Sequence, residues 1–300
     1  KGRVGQPSVP ISLARDGAFS LGVKIGRRSV DVVLLGFTGE VIATGTQSHA
    51  YPRVVDVLDR TEAMINDLVA PLGKAAISRI VGIGVATPFS LEAWADELGA
   101  PAEDLEAWKE FDIGAAIEKR LGLPVSVMND ATAACVAELV FGKGAEFQSY
   151  LYFFVGTFIG GGVVLDGRLY SGQFGNAGAV GSLPIRGPEG DSNSVQLLAK
   201  ASAITLEEAL AKVGLTPEDI KNDPMENSAA EVWLRQAAQA LALAAQSALA
   251  IIDFEAIVID AGLPGSFRAK LVELTKEFMD QNDLTGLHRP IVAEGTIGGE

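Results

Sequence analysis

From residue 19 the chain alternates apolar and polar positions. Phe19 to Leu35 keeps a two-residue period with a β-branched bias and breaks at Gly26-Arg27-Arg28, which predicts two strands joined by a tight turn. A second turn at Phe37-Thr38-Gly39-Glu40 leads into a third strand, Val41 to Gly45. The period then changes. Val54, Leu58, Met64, Ile65 and Leu68 recur at helical spacing, which predicts a helix over Val54 to Ala70. Ile80 to Val85 reads as a short buried strand, and Trp94 to Lys109 as irregular or helical. Ile113 to Leu121 reads as a helix stopped by Gly122 and Pro124. Val125 to Met128 is the next strand and Asp130 to Phe141 the next helix.

The second half repeats the alternation. Tyr150 to Val155, Gly162 to Leu165 and Arg168 to Tyr170 read as strands, the last two joined by the two-residue turn Asp166-Gly167. Helices are predicted at Val195 to Ala201, Leu206 to Val213, Ala229 to Phe254 and Phe267 to Gln281, with a strand at Ala256 to Asp260. Alanine-rich Ala229 to Phe254 permits close packing, as core or as a subunit interface. Early strands followed by alternating elements indicate α/β layers. We divide the chain into a leader over 1–10, an N-terminal α/β domain over 11–125 and a C-terminal α/β domain over 126–300, with a ligand cleft expected between the two domains.

Composition narrows the class. Apolar residues form 48% and charged residues 21% of the 300, which fits a globular chain. No apolar run is long enough for a membrane span. The net charge of −14 repels phosphate backbones, so this chain is not expected to grip nucleic acid itself. Cys135 is the sole cysteine, which excludes an intrachain disulfide, and with no secretory signal visible the cytoplasm is the expected compartment. Lys1 to Pro10, with Gly2, Gly5, Pro7 and Pro10, reads as an extended linker, and a start at Lys1 suggests a piece of a longer protein.

Three glycine-bearing segments follow apolar strands: Gly22 to Gly26, Gly156 to Gly162 with Thr157, and Asp260 to Gly265 with Gly262. Glycine lets backbone N–H groups approach a phosphate, but tight strand connections use it too. Asn129 and Asp130 stand where a strand gives way to a helix. There Asp130 either caps the helix or faces a cleft as a general base, with Asn129 and Asp130 binding hydroxyls.

Together these segments resemble the ROK family of repressors, open reading frames and kinases, over nearly the whole chain. The most specific stretch is Gly156 to Gly172, continued by Gly175-Asn176-Ala177-Gly178-Ala179-Val180-Gly181. It resembles the family's second phosphate loop, hairpin and signature segment. Asn129-Asp130-Ala131-Thr132-Ala133 resembles the segment that carries the family's base, and Val258 to Pro264 its adenosine-side turn. The resemblance implies an actin-like, ribonuclease H-like sugar-kinase fold, and a homodimer or homotetramer. Gly2-Arg3-Val4-Gly5-Gln6-Pro7 resembles the linker that joins a winged helix-turn-helix to the sensing portion in the repressor branch.

The chain also departs from that pattern. Where the family places an Asp near the metal and a glycine near phosphate, it has Lys24 and Arg27, and Phe158 replaces a second-loop glycine. A lysine does not ligate magnesium, which phosphoryl transfer needs. Arg27 and Arg28 read as turn arginines that are solvated more often than anion-binding. The family's sugar-binding Glu and zinc-binding His are replaced by Ala179 and Ser182. Arg186 to Val195 lacks the cysteines of the zinc loop, and Cys135, His49 and His288 are too scattered to replace them. No cofactor is therefore expected, neither zinc nor Mg-ATP. Asn129, Asp130 (as a vestigial base) and Asn176 remain to bind a sugar or sugar derivative, with Phe89 or Trp94 as a stacking face. Gly26, Gly156, Thr157, Gly160, Gly161 and Gly262 mark the former phosphate loops. The expected function is sugar sensing in a transcriptional regulator whose DNA contacts lie in a missing N-terminal domain. The alternatives are an ATP-dependent sugar kinase with an unusual site and a scaffold that binds no small molecule.

Overall fold

The computed structural model describes residues 11–88, 91, 95, 99–186 and 194–298. The chain divides into two compact units, Lys1–Asp130 and Ala131–Glu300.

The first unit is built on a five-stranded sheet of order β3-β2-β1-β4-β5. Its strands are β1 (Phe19–Ile25), β2 (Ser29–Gly36), β3 (Val41–Ser48), β4 (Ile80–Thr87) and β5 (Val125–Asn129). The first three form an antiparallel meander, while β4 and β5 run parallel to β1. The alternation seen in sequence is the alternation of burial. Phe19, Leu21, Val23 and Ile25 of β1 and Val30, Val32 and Leu34 of β2 point into one core. Helix α1 (Val54–Val69) covers that face with Val57, Leu58, Met64 and Ile65. Each such side chain contributes about 1.5–3 kcal/mol by leaving water. The short helices α2 (Lys74–Ile77) and α3 (Ala102–Glu106) lead to α4 (Ile113–Leu121), which has clear punctuation at both ends. Asp112 accepts from the Ala115 N–H at its start, and Gly122 takes φ 68° at its end.

The second unit holds a sheet of order β12-β11-β6-β7-β8. It opens with α5 (Asp130–Phe141), followed by β6 (Tyr150–Val155), β7 (Ile159–Leu165) and β8 (Arg168–Leu169). Next come the small ribbon β9 (Pro184–Arg186) with β10 (Ser194–Gln196) and the helices α6 (Leu198–Ala201), α7 (Ala203–Ala211) and α8 (Ser228–Leu249). β11 (Ala256–Ala261), α9 (Gly265–Gln281) and β12 (Ile291–Glu294) complete the unit. The alanine-rich α8 is core: eleven of its residues are buried, among them Leu234, Ala237 and Leu241. It shares that core with Phe267 and Leu271 of α9 and with Leu151 and Phe153 of β6. The opposite face of the sheet carries a smaller cluster, where Cys135 of α5 meets Tyr150, Tyr152, Val164 and Val258.

Two expectations need correction. Val195 to Ala201 is not one helix: Ser194–Gln196 pairs antiparallel with Pro184–Arg186, and only Leu198–Ala201 is helical. Gly160 and Gly161 do not belong to a loop. Both lie inside β7, paired with Phe154 and Phe153. The loop is only Gly156-Thr157-Phe158, and the glycines in the strand answer a packing demand. A Cβ on Gly160 would stand 2.6 Å from Ala131 Cβ, and one on Gly162 would stand 2.6 Å from Cys135 Cβ and Sγ. The first turns of α5 thus lie directly on the backbone of β7.

This packing seals Cys135. Burial pushes its thiol up to about 12, the Glu138 carboxylate adding to the effect against a hydrogen bond with Tyr150. The thiolate is the reactive form. Ellman's reagent at pH 8 is therefore expected to react with Cys135 only after denaturation. Prompt labelling of the native chain would contradict the packing.

Candidate functional site

In the first unit the parallel strands set up one edge. Their register aligns Lys24, Ala86 and Met128 in a row, and Thr87 pairs with Asn129 one residue further on. Beyond this row the chain leaves β1 through the turn Gly26 to Ser29, closed by the Gly26 N–H donating to the Ser29 carbonyl at 2.8 Å. It leaves β5 directly into α5 at Asp130. Strands lie about 4.8 Å apart, so the β1–β2 turn and Asp130 stand roughly 10 Å apart on one edge, with β4 between them.

Asp130 is the first residue of α5, where a carboxylate faces the positive end of the helix. Asn129 and Asp130 are both half-buried. Arg27 is half-buried too, which corrects the expectation of two solvated turn arginines; Arg28 is exposed. Burial pulls the Arg27 guanidinium below its ordinary value, and the Asp130 carboxylate pulls it back up. The residue that replaces the family's phosphate-loop glycine is therefore electrostatically coupled to the residue in the place of the family's base.

Two further side chains belong to this edge: Thr87, which the sequence did not single out, and His49, weighed there only as a scattered zinc ligand. His49 packs on the turn: its N–H donates to the Arg28 carbonyl at 2.9 Å, and its Nε2 lies 3.1 Å from the Gly26 carbonyl oxygen. Burial holds its imidazole below the ordinary value; the Gly26 hydrogen bond opposes this and the Arg60 guanidinium reinforces it. Nδ1 of His49 and Oγ1 of Thr87 are buried with no hydrogen-bond partner among the described residues. No local motif marks His49 or Thr87; both enter through sheet register and a turn.

The former loops of the second unit are arranged by themselves. The carbonyls of Gly156 and Thr157 accept from the Ala203 and Ile204 N–H groups at 2.9 and 3.2 Å, so the start of α7 holds this turn. Thr157 is exposed. Gly262 is also exposed, and a Cβ there would meet only the Phe154 ring at 3.8 Å, so packing does not demand glycine at this position. Asn176 is exposed in the loop between β8 and β9, whose glycines Gly172, Gly175 and Gly178 all have positive φ. Ala179 and Ser182 are exposed. Phe89, Trp94 and most of the segment expected to lack a zinc loop, 187–193, lie outside the described residues. Among the described residues, no three His, Cys, Asp or Glu side chains converge as a metal cluster would.

The model of the ROK family matches residues 20–291. The chain belongs to the ROK family. It is 29% identical over 280 residues to the uncharacterized protein y4fQ of Sinorhizobium fredii, covering 91% of this chain and 68% of that protein. It is 27% identical over 190 residues to the xylose repressor of Caldicellulosiruptor bescii, covering 62% of this chain and 46% of the repressor. Among solved structures, a ROK family transcriptional regulator that is a homologue of the E. coli MLC protein superposes with a TM-score of 0.72 at 22% identity, covering 94% of this chain and 74% of the other. The ROK hexokinase of Thermus thermophilus superposes with a TM-score of 0.69 at 23% identity, covering 93% and 94%. The two sheets and their helices are thus the actin-like sugar-kinase fold, which repressors and sugar kinases of this family share. Among the described residues of this ROK chain, no helix is long and apolar enough to cross a membrane.

Proposed function

We propose that this ROK chain is the sugar-sensing portion of a transcriptional regulator and does not transfer phosphate. The observation that carries the reading is the basic edge of the first unit. Lys24 and Arg27 stand where a kinase of this family needs a metal-side carboxylate and a bare backbone, and Arg27 is coupled to Asp130. A cation in the place of a metal-side carboxylate repels magnesium. Phe158 adds bulk to the second loop. The residues present do not fit Mg-ATP, and we derive no step through it.

What remains fits recognition. Asn129, Asp130 and Thr87 offer polar groups along one edge, and Asn176 an exposed amide in the second unit. The likeness to a xylose repressor, of which this chain spans 46%, supports a sugar as the effector and DNA contacts made outside this chain. Such a regulator works in the cytoplasm as a homodimer or homotetramer.

A kinase is the second reading, favoured by Asn129 and Asp130 where β5 gives way to α5 and by 28% identity over 233 residues to the N-acetylmannosamine kinase of Vibrio cholerae. A coupled assay with ATP and magnesium across hexoses, pentoses and amino sugars separates the two. We expect no sugar phosphate above the rate without protein, together with a rise in melting temperature from at least one sugar. Turnover that disappears in Asp130→Asn would establish the kinase. Neither turnover nor a thermal shift would leave the scaffold.

A further inference from the structure

The edge of the first unit has an unusual charge for this chain. The protein as a whole carries −14, yet Lys24, Arg27, Arg28, His49 and Arg60 gather around a single turn. The placement is fixed by register and hydrogen bonds. Lys24 ends the row shared with Ala86, and Arg27 and Arg28 form the turn itself. His49 lies on Gly26 and Arg28, and Arg60 donates to the Ser48 carbonyl at 2.7 Å, next to His49.

The carboxylates facing this group are Asp31 and Asp130. Asp31 lies opposite Lys24 and accepts from Ser29 Oγ at 3.0 Å and Thr46 Oγ1 at 2.8 Å. Asp130 answers Arg27. Lys24, Arg27, Arg28 and Arg60 set four positive charges against these two carboxylates, so the turn keeps a positive excess. A neutral polyol gains little from such a field, whereas a guanidinium beside an ammonium suits a carboxylate or phosphate.

The same edge also presents groups for hydroxyls. With Nε2 of His49 donating to the Gly26 carbonyl, the buried Nδ1 of the neutral ring is an acceptor, and Thr87 Oγ1 can donate or accept. Asn129 stands beside Thr87 in the sheet.

Resting on the sensing reading, we infer that the ligand is a sugar carrying an acidic group, a carboxylate or a phosphate. That group sits against the β1–β2 turn with Arg27 as its main counter-ion and Lys24 as its second, while the hydroxyls face His49, Thr87 and Asn129.

Isothermal titration at low salt tests this. The probes are glucose, galactose and xylose, glucuronate and galacturonate, glucose 6-phosphate and galactose 6-phosphate, and inorganic phosphate. At least one acidic sugar is expected to bind about tenfold or more tightly than its neutral parent, the size of one charge-assisted contact. Arg27→Gln should remove that advantage, while Arg27→Lys should keep part of it. The uronate and phosphate arms tell which acid is meant. Lys24→Gln, at an exposed position, is the second variant and should weaken the same ligand without endangering the fold. Neutral sugars that bind as tightly as their acids, or acid binding that survives both Arg27→Gln and Lys24→Gln, overturns the inference and leaves sugar sensing standing. No binding by any sugar, neutral or acidic, overturns both. Inorganic phosphate bound as tightly as the sugar phosphates also overturns it, since the hydroxyl groups would then contribute nothing.

Discussion

Asp260→Ala is expected to destabilise the protein by about 3–5 kcal/mol, the cost of breaking a buried charged network by removing one partner. Asp260 is the penultimate residue of β11 and is fully buried. Its Oδ2 accepts from the Tyr152 hydroxyl at 2.9 Å and from the Ile297 and Gly298 N–H groups at 3.2 and 2.8 Å. Its Oδ1 accepts from the Ala261 N–H at 2.8 Å and faces Arg268 at 3.4 Å. Alanine would leave those donors in an apolar surrounding with nothing to accept them. Arg268 would keep Glu294, at 2.8 Å from its Nε, but lose its second anion. Urea unfolding at neutral pH measures the loss. Asp260→Asn keeps one acceptor oxygen and should cost less than alanine. A midpoint for Asp260→Ala close to that of the parent would show that the segment beyond β12 is not held by this carboxylate.

Gly161→Ala is expected to cost on the order of 3 kcal/mol or more, the upper range for overpacking, or to prevent folding. Its Cβ would lie 2.1 Å from the Tyr152 carbonyl oxygen and 3.0 Å from Val180 Cγ2. The first neighbour is backbone of the adjacent strand, which cannot swing aside as a side-chain tip does. Gly73→Ala is the control: it has φ −62° and nothing within 4 Å of the added carbon, so a change within about 0.5 kcal/mol is expected. Soluble expression and thermal unfolding of the two variants side by side decide the matter. Equal stability would mean that β7 can move away from β6 at no cost.

These residues show what sequence could and could not reveal. α4 was legible at both ends because Asp112 and Gly122 act on their own neighbours. The meander of β1, β2 and β3 was legible because burial follows the two-residue period and the turns are local. β12 was not: Ile291–Glu294 is only four residues long and starts directly after Pro290, and its partner β11 lies about thirty-five positions earlier. Gly160 and Gly161 looked like loop because the reason for glycine in this stretch sits in other elements, at Ala131, at Cys135 and in the Tyr152 backbone. Arg27 looked solvated because the carboxylate that answers it is a hundred positions away. In the candidate site, Asn129 and Asp130 could be read from their place between a strand and a helix, while His49 and Thr87 appear only once the register of the sheet is known.

The fit of α5 on β7 has a mechanical consequence. Helices usually shift by re-sorting side chains at their interface, but at Ala131 and Cys135 the surface opposite is glycine, with no side chain to re-sort. Ala131 and Cys135 rest on glycine backbone, and further along the helix Glu138 grips the Lys143 and Thr296 N–H groups, each at 2.8 Å. Rolling or sliding of α5 over β7 would have to break these contacts. Within the second unit, α5, β7 and the segment 296–298 are thereby joined at Ala131, Cys135 and Glu138.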